Sequence, residues 1–490
     1  MPVVQINQNG ETSFRRFKQG ESLQSVLAEQ SLIHSPCGGK GTCGKCQVNV
    51  VGKGEVLACT FYPKTHVVVN LASNRKSQIL SQNSSSIISS SPNKEVTHSH
   101  QEYGLAIDIG TTSVVFYWVN LRSGNIDQVR GVENPQVSYG ADVITRINKC
   151  SDAKVLKTLQ KLMVNLIGDE LERFIINDLS LKKMSVSANA CMLHILAGVN
   201  PMPMAFAPFV APFTEAKSIK AKELGLQLKS EVFVELLPSA SAFVGADIVS
   251  GITSLNPPAN IRNYLFIDIG TNGEMAVITP KDIVACATAA GPAFEGANIK
   301  FGMGAFEGAI SEYAANTYMT IANKPAIGIC GSGLLDVLAF LLRENHLSSD
   351  GLLSDDYVLV PESKAGVDTA ICITPQDIRE VQLAKSAIRT GINILLKEAA
   401  LNYADLDSVY LAGGFGNYMK PESAIAIGLI PHDDKVPIVP VGNTSGAGAV
   451  MHVVDPVFTD KLQLTLNRMK TIDLSTHPDF ELEFAMNMYF

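Results

Sequence analysis

One pattern occurs twice in this 490-residue chain and limits what it can fold into. Residues 103–119, YGLAIDIGTTSVVFYWV, recur in form at 263–278 as NYLFIDIGTNGEMAVI. Each copy is an apolar strand pattern, then Asp-Ile-Gly-Thr, then a second apolar strand, so each predicts a tight hairpin. The two aspartates, Asp108 and Asp268, lie 160 positions apart. A repeat that long predicts a duplicated α/β domain rather than a solenoid of short units.

The residue types at the two turns suit phosphate. Glycine lets the backbone approach a phosphate with no Cβ in the way. Amides of the turn and the hydroxyls of Thr111, Thr112 and Thr271 can donate to phosphate oxygens. Asp108 and Asp268 stand at strand ends, where carboxylates can hold Mg²⁺ through water. A third element, SVYLAGGFGNYM at 408–419, is a buried-strand pattern running into Gly413, Gly414, Phe415 and Gly416. A further glycine turn, Gly331-Ser332-Gly333, opens an amphipathic helical pattern whose N-terminus could face a nucleotide or could be a plain helix start. Together the two hairpins and the 408–419 element resemble the phosphate-1, phosphate-2 and adenosine motifs of the acetate and sugar kinase, chaperone and actin superfamily. That resemblance implies ATP in a cleft between two lobes.

Ahead of this body stands CGGKGTCGKCQVNVVGKGEVLAC, with four of the nine cysteines in 23 residues. The spacing is Cys37-x5-Cys43-x2-Cys46-x12-Cys59. A structural zinc site usually offers two C-x2-C knuckles, and here there is one. An iron–sulfur cluster needs four thiolates wrapped around an inorganic core, and Gly38, Gly39, Gly41 and Gly44 permit the backbone angles of such a wrap. The plant-type spacing is C-x4-C-x2-C with a distant fourth cysteine; this chain is one residue longer in its first gap. A [2Fe–2S] cluster is the expected occupant, and zinc or a purely structural loop would also be compatible with four thiols.

Strand patterns at PVVQIN, TSFRRFK, CQVNVV and THVVVNLA surround a helical pattern with Leu23, Val26, Leu27 and Leu32 on one face. An Asn-Gly pair predicts the turn between the first two strands. A sheet with one helix in about 70 residues is similar to the β-grasp of small ferredoxins. Between 77 and 91, eight of fifteen residues are serine, too little apolar area to offset chain entropy. The expected organisation is therefore α+β followed by α/β. A ferredoxin-like domain occupies 1–74, a flexible linker 75–102, and a two-lobed ATPase 103–455 with its lobe boundary near 255–262. An extension, 456–490, is expected to pack on the ATPase. A linker of that length spans roughly 30 Å.

The formal charge of −8 argues against a nucleic-acid or anionic-membrane partner, because both require a basic face. No run of 18 apolar residues and no secretory pattern at the start predict a protein outside membranes. The remaining cysteines, Cys150, Cys191, Cys286, Cys330 and Cys372, are isolated, which fits reduced thiols in a cytoplasm.

Three further stretches narrow the resemblance: GPAFEGANIKFGMGAFEGAI (291–310), TPQDIREVQLAKSAI (374–388) and PSASAFVGADI (238–248). With the cysteine loop, they look like the reductive activators of corrinoid-dependent enzymes. The resemblance implies ATP-dependent transfer of one electron from the cluster to convert cob(II)alamin to cob(I)alamin. The partner it implies is a corrinoid protein or a cobalamin-dependent methyltransferase, with an upstream low-potential electron donor, and a homodimer is compatible with it. It implies Cys37, Cys43, Cys46 and Cys59 as cluster ligands. Phosphate and Mg²⁺ contacts would come from Asp108 with Gly110, Thr111 and Thr112, and from Asp268 with Gly270, Thr271, Asn272 and Gly273. Gly413 to Gly416 would face the nucleoside, and Asp108, Asp268 and Glu295 are the candidate catalytic carboxylates.

Longer members of that family carry an additional domain between ferredoxin and ATPase, for which this chain offers only the serine-rich linker. In that family a serine often precedes the threonine of TAAGPAFEG, where this chain has Cys286-Ala287-Thr288; if that hydroxyl handles the cobalt, either Thr288 substitutes for it or the step differs. An activator of 2-hydroxyacyl-CoA dehydratases shares the QDIREVQLAK-like stretch but not the ferredoxin domain. A small-molecule kinase with a redox sensor would share the nucleotide motifs, and a non-enzymatic electron-transfer adaptor would share the cysteine loop. His194, in a Leu/Met-rich helical run, reads as a packing residue more readily than a ligand, with Asn189 as the cap of that helix.

Overall fold

Alternation of buried and exposed side chains builds the first sheet. Its strands are β1 (Val3–Gln8), β2 (Glu11–Arg16), β3 (Gln47–Val50), β4 (Gly54–Leu57) and β5 (Val67–Asn70), in the order β2-β1-β5-β3-β4. The central pair, β1 and β5, is parallel. The helix Leu23–Ala28 lays Leu23, Val26 and Leu27 onto Val4, Ile6 and Val48. Each such side chain contributes roughly 1.5–3 kcal/mol when fully buried. This is the β-grasp arrangement. The short strand β4 carries no strand pattern that the sequence alone makes visible.

The computed structural model describes residues 1–490 except 9–10, 29–32, 34–38, 40, 42–45, 72–101, 176–179, 316 and 417. The expected Asn9-Gly10 turn, Leu32, Cys37, Cys43, Gly38, Gly44 and nearly all of the serine-rich segment lie outside the described residues.

The two hairpin patterns become two equivalent sheets. In the first lobe, β6 (Glu102–Ile109), β7 (Ser113–Asn120), β8 (Ile126–Glu133), β9 (Ser180–Ala188), β10 (Lys217–Lys220) and β11 (Phe233–Leu236) run in the order β10-β11-β9-β6-β7-β8. In the second, β12 (Tyr264–Ile269), β13 (Gly273–Ile278) and β14 (Ile283–Thr288) continue from the strands Ile438–Gly442 and Ser408–Ala412. The pairing is the same in both. β6 is antiparallel to β7 and parallel to β9; β12 is antiparallel to β13 and parallel to Ser408–Ala412. The central strands read as continuous apolar runs because both of their faces are covered, and Leu105, Ile107, Leu265 and Ile267 have no exposed surface.

Two helices, Ala246–Ser254 and Thr444–Val454, cross between the lobes. Small residues allow the approach: a Cβ on Gly251 would lie 2.8 Å from Thr444 Oγ1. Ser187, on β9, shares hydrogen bonds of 2.9 Å with Ser250 and Ser445, one from each helix. The last residues touch both lobes. The helix Phe458–Arg468 inserts Phe458 and Leu462 into the first core, Met469–Ile472 extends the second sheet beside β14, and Phe480 and Phe484 cover the second core. Among the described residues no helix is long and apolar enough to cross a membrane.

Candidate functional site: an acidic cleft between two glycine turns

Both Asp-Ile-Gly-Thr turns open on one cavity of about 290 Å³, near the lower end of small-molecule sites. The first lobe contributes Asp108, Gly110, Thr111 and Thr112, and the second contributes Asp268, Gly270, Thr271 and Asn272. Gly413, Gly414 and Phe415 close another side. Gly413 takes φ +83°, and a Cβ there would strike the Asp268 carboxylate, so this position requires glycine. Gly273 and Gly416 do not line the cavity; Gly273 begins β13 and is crowded by Ile388.

Asp108 is held rigidly. Its Oδ2 accepts 2.7 Å from Asn443 Nδ2, and its Oδ1 accepts 2.6 Å from Ser445 Oγ. Both donors come from the start of the helix Thr444–Val454, so that helix fixes the first-lobe carboxylate. Glu295 ends a short 3-10 turn, Pro292–Glu295, and reaches both glycine turns. It accepts 2.7 Å from Thr271 Oγ1 and 3.5 Å from Thr112 Oγ1.

Two more carboxylates, Asp247 and Glu274, line the same cavity, and the sequence does not single them out. Burial pushes all five carboxyls up. Asp268 rises to about 7, through burial and then the nearby Asp108 charge. Asp247 also rises to about 7, through burial and then Asp268. Glu274 is pushed well up by burial, then by Asp247 and Asp268; Asp108 and Glu295 rise through burial. Such a set repels a bare polyphosphate and suits one that arrives with a divalent cation. Among the described residues no three His, Cys, Asp or Glu form a ready metal cage.

Behind the first turn sits Arg146, with no exposed surface. Its guanidinium donates to the carbonyls of Thr111 and Gly140, the latter at 2.7 Å. Burial lowers it only to about 10, so it stays charged. Asn189 caps the helix Ala190–Leu196 by accepting 3.0 Å from Met192 N, and its amide donates 3.3 Å to Thr111 Oγ1. His194 is buried: Nδ1 lies 2.6 Å from Ala190 O, Nε2 accepts 3.2 Å from Phe213 N, and the ring stacks on Phe213.

Gly331, Ser332 and Gly333 are not brought to the cavity. The missing Cβ atoms of Gly331 and Gly333 leave room for Phe294 and Ile310, and Ser332 Oγ donates 2.9 Å to Ser311 O. Their place in the fold is close helix packing. Thr288 ends β14 opposite Gly273 and does not line the cavity either.

In the β-grasp domain, Cys46 and Cys59 are buried and face each other with sulfurs 3.3 Å apart. That exceeds the roughly 2.05 Å of a disulfide and suits two ligands of one metal centre. Gly39 and Gly41, within the cysteine loop, have φ of +91° and +76°. These residues fit a cluster. Cys37 and Cys43 lie outside the described residues.

Comparison with known proteins bears on each part. Residues 6–64 match the 2Fe-2S iron-sulfur cluster binding domain. Residues 103–256 match the RACo middle region, and 262–490 match the C-terminal domain of RACo, the ASKHA domain. The corrinoid activation enzyme RamQ of Eubacterium limosum is 32% identical over 418 residues, covering 79% of this chain and 70% of RamQ. The chain belongs to the family of reductive activators of corrinoid proteins. A reductase of Methanosarcina barkeri, named for the Co(II) methylated amine-specific corrinoid protein, is 25% identical over 386 residues, covering 70% of this chain and 68% of that one. Across the whole fold, the solved reductive activator for corrinoid, iron-sulfur protein superposes with a TM-score of 0.73 at 26% identity, covering 100% of this chain and 98% of that one. The first lobe of this activator is thus what the family's middle-region model describes.

Proposed function

We propose that this chain is an ATP-hydrolysing one-electron reductase of a protein-bound corrinoid, converting cob(II)alamin to cob(I)alamin from a [2Fe–2S] cluster. The observation that carries the reading is the joining, in one chain, of a buried cysteine pair in a β-grasp domain with an acidic cleft between two glycine–threonine turns. The names of the relatives point the same way. Cys37, Cys43, Cys46 and Cys59 would ligate the cluster, which supplies single electrons when bound. The β- and γ-phosphates of ATP would lie between Gly110–Thr112 and Gly270–Asn272, with Gly413–Phe415 toward the nucleoside. Asp108 and Asp268, aided by Asp247 and Glu274, would hold Mg²⁺ through water. Glu295, between the two threonines, would orient the attacking water.

The reduction runs uphill from a cluster near roughly −400 mV, and each ~59 mV of a one-electron step costs a factor of ten. ATP assists only through a difference in stability between two lobe arrangements. The acceptor would be a corrinoid protein or a cobalamin-dependent methyltransferase in the cytoplasm, a low-potential donor would refill the cluster, and the active form is compatible with a homodimer. Anaerobic ATP hydrolysis measured with and without a cob(II)alamin protein tests this. Stimulation of hydrolysis accompanied by cob(I)alamin absorbance is expected; hydrolysis indifferent to every corrinoid protein, with no reduction, contradicts it.

A further inference from the structure

The cluster domain is seated on the ATPase by a polar contact that excludes water. Gln24, on the helix Leu23–Ala28, is 8% exposed, and its Nε2 donates 3.0 Å to the carbonyl of Ser138, itself 3% exposed. Ser138 Oγ lies 3.4 Å from Ala28 O and donates 3.1 Å to Pro135 O. A buried amide paired with a buried carbonyl across two domains is costly to leave unmade, so this is a specific seat.

Both ends of the contact lead somewhere. Toward the cluster, Gln24 N donates 2.9 Å to Ala58 O, next to Cys59, and Gln24 Oε1 lies where a Cβ on Gly39 would be only 2.5 Å away. Toward the nucleotide site, Ser138 belongs to the 3-10 turn Pro135–Tyr139, capped by Asn134. Asn134 N donates 2.9 Å to Thr112 O, and its Nδ2 donates 2.8 Å to Gly110 O. Arg146 donates to Thr111 O and grips the far end of the same turn at Gly140. The carbonyls of Gly110 and Thr112 are both taken by Asn134, the cap of this turn, and that of Thr111 by Arg146, which also holds the turn at Gly140, while the same three residues border the cavity.

We infer that the turn Pro135–Tyr139 is the docking seat of the cluster domain and that Gln24 couples this seat to the first phosphate turn. Seating the cluster domain and binding nucleotide then favour each other, because the segment that receives Gln24 is the one that shapes Gly110–Thr112. The inference rests on the reading that nucleotide occupies the cleft. Coupling of this kind is reciprocal: whatever seating adds to nucleotide affinity, nucleotide adds to seating.

The test is titration calorimetry of Mg-ATP, in a non-hydrolysable form, into the full cluster-loaded chain as wild type, Gln24→Ala and Ser138→Ala. Neither residue lines the cleft. The expected result is a Kd raised about fivefold in Gln24→Ala, in the range of ordinary coupling energies. A smaller rise is expected in Ser138→Ala, with the visible spectrum of the cluster unchanged and the double variant no worse than Gln24→Ala alone. Should Gln24→Ala lose its cluster, Gln24→Met, which keeps bulk against Gly39 and removes the amide that Ser138 O accepts from, carries the test. Wild-type affinity in both variants overturns the coupling. Failure of the wild-type chain to bind nucleotide overturns the underlying reading instead, so the two failures are distinguishable.

Discussion

Glu295 accepts a 2.7 Å hydrogen bond from Thr271, and its second carboxylate oxygen faces Thr112 at 3.5 Å, so one side chain touches both glycine turns. Burial raises its pKa, with the two threonine hydroxyls pulling the other way. A carboxylate in that position can orient or deprotonate water only when ionised. Glu295→Gln keeps the shape and removes the charge. Steady-state hydrolysis is expected to fall about 100-fold, while Kd for Mg-ATP stays level or tightens.

Mg²⁺ dependence follows from the crowding of Asp108, Asp247 and Asp268. Asp247 and Asp268 bind protons near pH 7, so below that value a cation must displace a proton to enter. The Mg²⁺ concentration for half-maximal hydrolysis is expected to rise about tenfold per pH unit below 7 for each proton displaced, and to level off at higher pH. Asp268→Asn is expected to flatten that profile while raising the Mg²⁺ requirement throughout.

What could be read from sequence was what lies contiguous in it. Asp108 and Asp268 announce themselves because strand, glycine and threonine follow at once. Asp247 and Glu274 sit inside the PSASAFVGADI and NYLFIDIGTNGEMAVI stretches, yet nothing local marks a carboxylate as facing a cleft assembled from both lobes. Asn443 and Ser445 reach Asp108 from more than 330 positions away, which only the crossing helices bring about. Gly331-Ser332-Gly333 shows the converse. A glycine that admits a neighbouring carbonyl and one that admits a phosphate look alike until the neighbour is seen.

Acid should weaken the first lobe through His452. It is buried, with Nδ1 3.1 Å from Ser185 Oγ, and burial plus the nearby Lys183 pushes its pKa from 6.5 down to about 4. The unfolded chain takes up that proton near 6.5 and the folded chain only near 4. The contribution is therefore full above 6.5 and lost as pH falls toward 4, up to about 3 kcal/mol in all. Stabilities from urea unfolding at pH 7.5 and 5 are expected to differ by about 2 kcal/mol through this residue, and His452→Phe should remove most of that difference.

The C-terminus is bolted to the helix Pro375–Glu398. Lys385, 2% exposed, donates 2.7 Å to Asn487 O and also to Tyr489 O, and Gln382 donates 2.9 Å to Met488 O. Deleting 487–490 strands a buried ammonium, and a loss of about 2–3 kcal/mol is expected. Adding Lys385→Met to the truncated chain should recover part of it in the same thermal melt, because the unpaired charge goes with the lysine.

In the proposed reaction, electrons for the corrinoid pass through the cluster under control of ATP. This is tested most directly by following cob(I)alamin absorbance on a corrinoid protein, anaerobically, with reduced wild-type chain and reduced Cys46→Ser, each with and without Mg-ATP. Wild type is expected to form cob(I)alamin only with ATP, and Cys46→Ser to hydrolyse ATP without forming it. Reduction by Cys46→Ser at the wild-type rate would contradict the account.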